Sequence, residues 1–313
     1  MFHPITPRYS VIVPTYRRQD VLALCLDHIA RLDYSSMAFE VQVYDNGSPQ
    51  DSRAVVEQFR DRLSITYTLN EPGHGLGYSL CRGIQDSQGQ RIVELNDDAL
   101  VPPDFLILLD EVFDSDPLIG IVGVRAIESG YVSNGFGIGC IDPKTQTVVG
   151  NFNKATDGPI DVEHVYGFCY AYNRTLLDAG GRHDTVLLAK DYSTGNRIET
   201  DQCLTCRHLG FRVVYDGRIG VTHLAKPRGD VKERSTRWRH NDIRNTLYLF
   251  LKHYGLFGKS LIATRYFFLH DPGVLSALKH PTRENIIYVW TGIVARCSAI
   301  LHYTAYLVCG NRG

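Results

Sequence analysis

Asn96, Asp97 and Asp98 stand directly after a strand-like run, 91–95, of sequence Arg-Ile-Val-Glu-Leu. An apolar strand that ends in clustered acids points carboxylates out of a sheet edge, where they need a positive partner. A divalent cation that also holds a diphosphate is one such partner; a solvated turn is the plainer alternative. A second acidic pair, Glu199 and Asp201, opens a helix-like stretch, 199–209. First-turn acids suit the helix dipole, and they also suit proton transfer. His223 closes a β-branched run, as a cation ligand or as a hydrogen-bonded structural imidazole. Asp45 follows the run 39–44 and opens the turn Asp45-Asn46-Gly47-Ser48-Pro49. It reads either as an Asx turn or as a carboxylate that accepts the ring N–H of uracil or thymine.

These side chains need a frame. Strand-like runs at 9–13, 39–44, 64–69, 91–95 and 119–124 alternate with helical spacing at 17–32, 51–59, up to 84, and 105–113. Pro14 is expected to end the first strand. The alternation predicts an α/β fold with a doubly wound, mostly parallel sheet. Ligands of such sheets sit outside the carboxyl ends of the strands. One rim then gathers Pro14, Thr15, Tyr16 and Arg17, then Asp45, the glycines Gly73, Gly75 and Gly77, and finally Asn96–Asp98. Gly75 and Gly77 permit close backbone approach to a ligand, but they form no GxGxxG, so a dinucleotide fingerprint is absent. The second half is more irregular. Hairpins are expected over 130–158, short helices at 174–179 and 199–209, and strands at 211–215 and 219–221. A charged loop, 226–239, carries Trp238 and Arg239; helices follow at 241–254 and 259–269 and in the tail.

Composition bounds the function. The chain has 313 residues and a formal net charge of −1, which argues against a general nucleic-acid binder. The charge is uneven: residues 226–313 hold 14 Lys/Arg against 5 Asp/Glu, the remainder 19 against 29. We therefore expect a catalytic unit at 1–225 and a basic helical region at 226–313. A basic aromatic tail suits a phosphate-bearing partner or an anionic membrane surface, or is simply solvated. The apolar run 286–308 is interrupted by Arg296 and His302 and reads as a packed or interfacial helix rather than a span. Cys203 and Cys206 have no second CxxC, which excludes a zinc ribbon. The N-terminus lacks the apolar stretch of a secretory leader, so a cytoplasmic location is expected.

In order along the chain, the motifs resemble those of the inverting nucleotide-sugar glycosyltransferases of family 2, with the GT-A fold, near rhamnosyl- and galactofuranosyltransferase-like members. Val11–Arg17 is similar to "VIVPTYNR", Val43–Ser48 to "VVDNGS", and Gly75–Ile84 to "GFGGANNRGI". Leu95–Ala99 is similar to "LNxDT", Ile198–Asp201 with Gly210–Val214 to "EDVD…AGYRV", and Arg244-Asn245 to a following "RN".

The resemblance implies a GT-A domain with a C-terminal helical extension and a UDP- or dTDP-sugar donor. The acceptor would be a hydroxyl of a glycan or lipid-linked saccharide. Pro14, Thr15, Tyr16, Arg17, Asp45, Gly75, Gly77, Arg82, Asn96 and Asp97 would line the nucleotide site. Asp98 and His223 would hold Mn2+ or Mg2+, with Asp97 turned away as the middle residue. Glu199 would be the general base, with Asp201 its competitor. Glu199 stands where the family places Asp, one methylene shorter. Gly180–Asp184 is similar to the acceptor-side "GGFD" turn. The basic tail could touch the inner face of a membrane or the lipid-linked acceptor, or pack as an ordinary helical subdomain. Two other readings are a non-catalytic saccharide binder of the same fold and a sugar-nucleotide nucleotidyltransferase. The latter lacks its glycine-rich loop and Lys after the first strand.

Overall fold

The computed structural model describes residues 6–188, 197–225, 236–269, 279 and 282–309. Its first half is a run of β1 (Tyr9–Thr15), α1 (Gln19–Ile29), β2 (Phe39–Asp45), α2 (Arg53–Glu57), β3 (Ile65–Leu69), α3 (Leu76–Asp86) and β4 (Arg91–Leu95). β5 (Ala99–Leu100), α4 (Phe105–Ser115) and β6 (Ile119–Ile127) follow. After them come the hairpin β7 (Cys140–Asp142) and β8 (Thr147–Val149), then β9 (Pro159–Asp161), β10 (Cys169–Asn173) and α5 (Arg174–Asp178). The chain continues through α6 (Ile198–His208), β11 (Arg212–His223), α7 (Thr236–Tyr254), α8 (Gly258–Leu269) and α9 (Arg283–Cys309).

Among the described residues the main sheet has the order β3-β2-β1-β4-β10-β6-β11-β5, with β9 also on β11. β1, β2, β3 and β4 run parallel, as do β6 and β11, and β10 is antiparallel to both β4 and β6. The parallel strands therefore all end at one rim, at Thr15, Asp45, Leu69, Leu95, Ile127 and His223. Strand alternation divides the core into two layers. Val11, Val13, Val41 and Val93 pack on one face with Leu22 and Leu26 of α1 and Phe105 and Leu109 of α4. Ile12, Ile92 and Tyr172 pack on the other with Leu80 of α3, Leu176 of α5 and Cys203 of α6.

Several boundaries differ from expectation. β1 runs through Pro14 to Thr15. Thr15 bonds toward β2 through its carbonyl, which accepts from Asn46 N at 2.9 Å. Pro14, one residue back, thus faces β4, where pairing has already stopped at Ile12, so its missing N–H leaves no ladder bond unmade. The strands expected at 211–215 and 219–221 form one strand, β11, with an irregularity between Asp216 and Gly220. The central antiparallel strand β10 was not foreseen. α7 starts at Thr236, so Trp238, Arg239 and His240 are helical rather than part of a loop. Residues 226–235 of the expected loop lie outside the described residues.

The C-terminal helices share a core with residues of the region 1–225. Leu187, Ile198 and Leu204 pack with Ile243, Leu247 and Phe250 of α7, Ile262 of α8, and Ala295 and Ala299 of α9. A buried ion cluster fixes this junction. Lys252 Nζ donates to Asp184 Oδ2 at 2.8 Å and to Asp201 Oδ2 at 2.9 Å, and His253 Nε2 donates to Asp201 Oδ1 at 2.7 Å. Removing the ammonium leaves two carboxylates short of a counter-charge in a buried setting. Lys252→Ala is expected to destabilise the fold by about 3–5 kcal/mol, measured by urea unfolding.

Candidate active site

The centre of the rim is a buried carboxylate pair clamped by an arginine. Arg18, 6% exposed, donates through Nη2 to Asp97 Oδ1 and through Nη1 to Asp98 Oδ2 at 2.8 Å. Thr15 Oγ1 also donates to Asp97 Oδ2, at 2.7 Å. Asp97 therefore neither turns away nor faces a ligand: its side chain is fully buried and taken up by Arg18 and Thr15. Asp98 is divided. Arg18 holds Oδ2, whereas Oδ1 is buried, has no hydrogen-bond partner among the described residues, and lies 3.5 Å from His223 Nε2. Burial alone would raise the Asp98 carboxyl, but facing His223 and Arg18 hold it down at about 2. It is thus a carboxylate at any physiological pH.

His223 ends β11, and its Nδ1 lies 2.8 Å from Glu128 Oε2, just past the end of β6. Tyr166 and Phe168 flank the imidazole, with ring centroids 5.7 and 4.8 Å away. A buried carboxylate oxygen without a partner, facing an imidazole nitrogen, is a donor set that fits Mn2+ or Mg2+. The set is small, so most of the coordination shell would come from diphosphate and water. No cluster of three or more His, Cys, Asp or Glu suited to a metal occurs among the described residues.

Glu199, half-buried, lies in the first turn of α6. Burial raises its carboxyl above the ordinary range, against the opposing pull of its own backbone N–H, Arg197 and His183. Its carboxyl group rests against Gly167: a Cβ built there would stand 3.1 Å from Glu199 Cδ and Oε2. Asp201 is a correction. Two residues apart on a helix, the pair cannot share a face, and Asp201 turns into the Lys252 and His253 cluster. Burial would raise Asp201, but His253 and Lys252 hold it below the usual carboxylate range. It anchors α6 rather than facing the cleft.

The segment 166–168 ties these groups together. Tyr166 and Phe168 contact His223, Gly167 makes room for Glu199, and Phe168 O accepts from Asn96 N at 2.8 Å. Segment 166–168 thus touches both His223 and Glu199. Gly167→Ala would push the Glu199 carboxylate by a few tenths of an ångström. Misplacement on that scale is expected to lower transfer about 10-fold while leaving nucleotide affinity unchanged, as steady-state kinetics with a nucleotide titration would register.

The nucleotide-side residues fall on the same rim with mixed roles. Asp45 is fully buried and in register with Thr15. Its Oδ1 accepts from Ser48 N and Oγ at 3.0 and 2.6 Å, and its Oδ2 from Ser52 N and Tyr67 OH at 3.1 and 3.2 Å. The Asx-turn reading is therefore the one realised in this state. Tyr16 is buried, with the exposed Arg17 guanidinium stacked 4.8 Å from its ring centroid. A hollow of ≈ 580 Å3 opens beside it, lined by Arg17, Gln19, Asp20, Pro49 and Gln50. Arg82 reaches Asn70 Oδ1 at 3.5 Å and Asp86 at 3.6 Å, and Asn70 joins Ser79 and Asn46 in a buried polar network. Gly75 is the extended N-cap of α3. Gly77 serves packing: a Cβ there would stand 2.4 Å from the Leu188 side chain. Asn96 remains half-buried between Asp98 and Phe168.

Sequence reasoning missed Arg18, Glu128, Gly167 and a buried pair beneath the cleft. Glu94 accepts from His183 Nε2 at 2.6 Å, Tyr172 OH at 2.8 Å and Tyr170 OH at 2.7 Å. An acid inside an apolar strand had to have such partners, and that was the available signal. His183 lies in the expected acceptor-side turn, so Glu94 ties that turn to the strand that carries Asp98.

The fold is GT-A-like. TarS of Staphylococcus aureus, solved with UDP-GlcNAc, superimposes over 91% of this chain and 79% of its own, with a TM-score of 0.65 at 14% identity. The mannosyltransferase PcManGT of Pyrobaculum calidifontis, solved with GDP-Man and Mn2+, gives 0.57 over 95% and 87% at 18% identity. Residues 10–181 match the glycosyl transferase family 2 profile, and the chain belongs to that family. The validoxylamine A glucosyltransferase of Streptomyces hygroscopicus subsp. limoneus is 42% identical over 72 residues, 23% of this chain and 15% of that protein. The glucosyl-dolichyl phosphate glucuronosyltransferase of Haloferax volcanii is 20% identical over 227 residues, 69% of each chain. The match thus spans less than a sixth of the first relative and over two thirds of the second.

Proposed function

We propose that this chain is a metal-dependent, inverting glycosyltransferase that moves a sugar from a UDP- or dTDP-sugar to a hydroxyl of a glycan or lipid-linked saccharide. The observation that carries this reading is segment 166–168, which touches Glu199 at Gly167 and His223 through Tyr166 and Phe168. Asp98 and His223 would hold Mn2+ or Mg2+, which when bound would neutralise the diphosphate leaving group. The Mn2+ complex of PcManGT and the UDP-GlcNAc complex of TarS support the cation and the donor class. Arg18 keeps Asp98 ionised and in place. Glu199 accepts the acceptor-hydroxyl proton as the oxygen attacks the anomeric carbon from the side opposite the diphosphate, which inverts that centre. A sugar hydroxyl is too weak an acid to ionise first, so the proton moves in the transition state. A raised carboxyl is the better base for that step.

The lipid-linked acceptor and a location on the inner face of the membrane find support in α9. This helix is long and apolar enough to cross a bilayer, yet its Ala295 and Ala299 side packs into the core. Trp290 and Leu301 remain 65% and 70% exposed on the other side. Rhamnosyl and galactofuranosyl donors fit the sequence motifs and head the panel to be tried. The test is slow hydrolysis of a panel of sugar nucleotides with Mn2+, followed by product NMR once the donor is known. One donor hydrolysed above the others and an inverted anomeric centre are expected. Metal-dependent nucleotide binding without any turnover would instead favour a binding protein of the same fold.

A further inference from the structure

We propose that Glu128 is a positioning residue that makes His223 a cation ligand by fixing which ring nitrogen carries the proton. The inference rests on the reading of Asp98 and His223 as the cation-holding pair. Glu128 follows the last residue of β6, and the parallel register sets Ile127 against Thr222, so Glu128 lies beside His223. Its Oε2 is 2.8 Å from Nδ1. A carboxylate only accepts, so Nδ1 carries a hydrogen and stays turned to Glu128, which leaves Nε2 as the ring nitrogen for a cation, 3.5 Å from Asp98 Oδ1. That separation is too long for a good hydrogen bond, and Asp98 Oδ1 has no other partner among the described residues. An imidazole nitrogen and a carboxylate oxygen thus face each other across a gap. Arg18 occupies the second Asp98 oxygen and leaves that carboxylate a single free position. The rings of Tyr166 and Phe168 keep the imidazole from swinging away.

Without Glu128, the ring proton is free to move to Nε2. His223 would then donate to Asp98 Oδ1, and the pair would satisfy itself and close to a cation. A carboxylate behind a ligating imidazole typically strengthens metal binding by about 10–100-fold.

The experiment measures Mn2+ uptake in the presence of UDP by electron paramagnetic resonance. The chains are wild type, Glu128→Leu, Glu128→Gln and Asp98→Ala, with UDP affinity in EDTA as the control. Glu128→Leu is expected to bind Mn2+ roughly 10–100-fold more weakly, with UDP affinity in EDTA unchanged. Glu128→Gln keeps an acceptor for Nδ1–H and is expected to recover most of the loss. Wild-type Mn2+ affinity in Glu128→Leu, alongside loss in Asp98→Ala, overturns the role of Glu128 while leaving the cation site standing. No Mn2+ uptake in wild type overturns the cation site, and this proposal with it. If Glu128→Leu does not fold, nitrogen NMR of wild-type histidines, taken at a pH where the His223 ring is neutral, decides: a ring hydrogen on Nε2 contradicts the proposal, and one on Nδ1 upholds it.

Discussion

Glu199→Gln is expected to bind the sugar nucleotide as wild type does and to transfer about 10²–10⁴-fold more slowly. The amide has the carboxylate's size, so it still fits against Gly167, but it accepts no proton. Burial raises Glu199 above the ordinary carboxylate range. The base works only when ionised, so wild-type activity should rise with pH through a midpoint above that of an ordinary glutamate. Glu199→Gln should show low activity without that limb. Asp201 makes the useful contrast. It has its own partners in Lys252 and His253, so Asp201→Asn should cost stability before it touches the chemistry. Steady-state kinetics from pH 4 to 9, with a nucleotide titration of each variant, separates these outcomes. Wild-type turnover in Glu199→Gln removes it as the base.

Asp98→Ala is the second large effect. The free oxygen Oδ1 is what Asp98 offers to a cation, and its other oxygen is held by Arg18. Deletion should lower metal-dependent donor hydrolysis by about 10²–10³-fold, the scale of losing one preorganised electrostatic contact to the reacting groups. The fold should survive, because Arg18 keeps its bonds to Asp97 and no buried guanidinium is left bare. Hydrolysis and UDP binding, each with Mn2+ and with EDTA, give the readout. Equal UDP affinity under all four combinations of chain and buffer would remove Asp98 from the cation site.

The topology was legible because the period of two in the strands and the helical spacing between them leave one arrangement, with the parallel strand ends on one rim. That alone placed Asp45 and Asp98 on one rim, whereas His223 joined them through the family resemblance. The finer assignments depended on quantities that composition does not carry. Arg17 and Arg18 are neighbours with opposite fates: a left-handed turn at Arg17, φ 55°, leaves one guanidinium outside and sends the other under the acids. Asp97 and Asp98 differ in the same way. Glu128 stayed hidden because its strand was read as ending at 124, whereas it continues to Ile127 and delivers the carboxylate to the rim. β10 was missed because Cys169-Tyr170-Ala171-Tyr172 is short, and its antiparallel place between β4 and β6 depends on long-range pairing. Asp201, the competitor to Glu199, could have been set apart from it in the sequence, since residues two apart on a helix face apart.

Anomalous diffraction at the manganese edge, from crystals grown with UDP and Mn2+, tests the central claim most directly. The account predicts one strong peak between Asp98 Oδ1 and His223 Nε2, touching the diphosphate, with the Glu199 carboxylate facing the open side of the same cleft. A peak elsewhere, or a diphosphate bound away from Asp98 with Glu199 on another face, would contradict it.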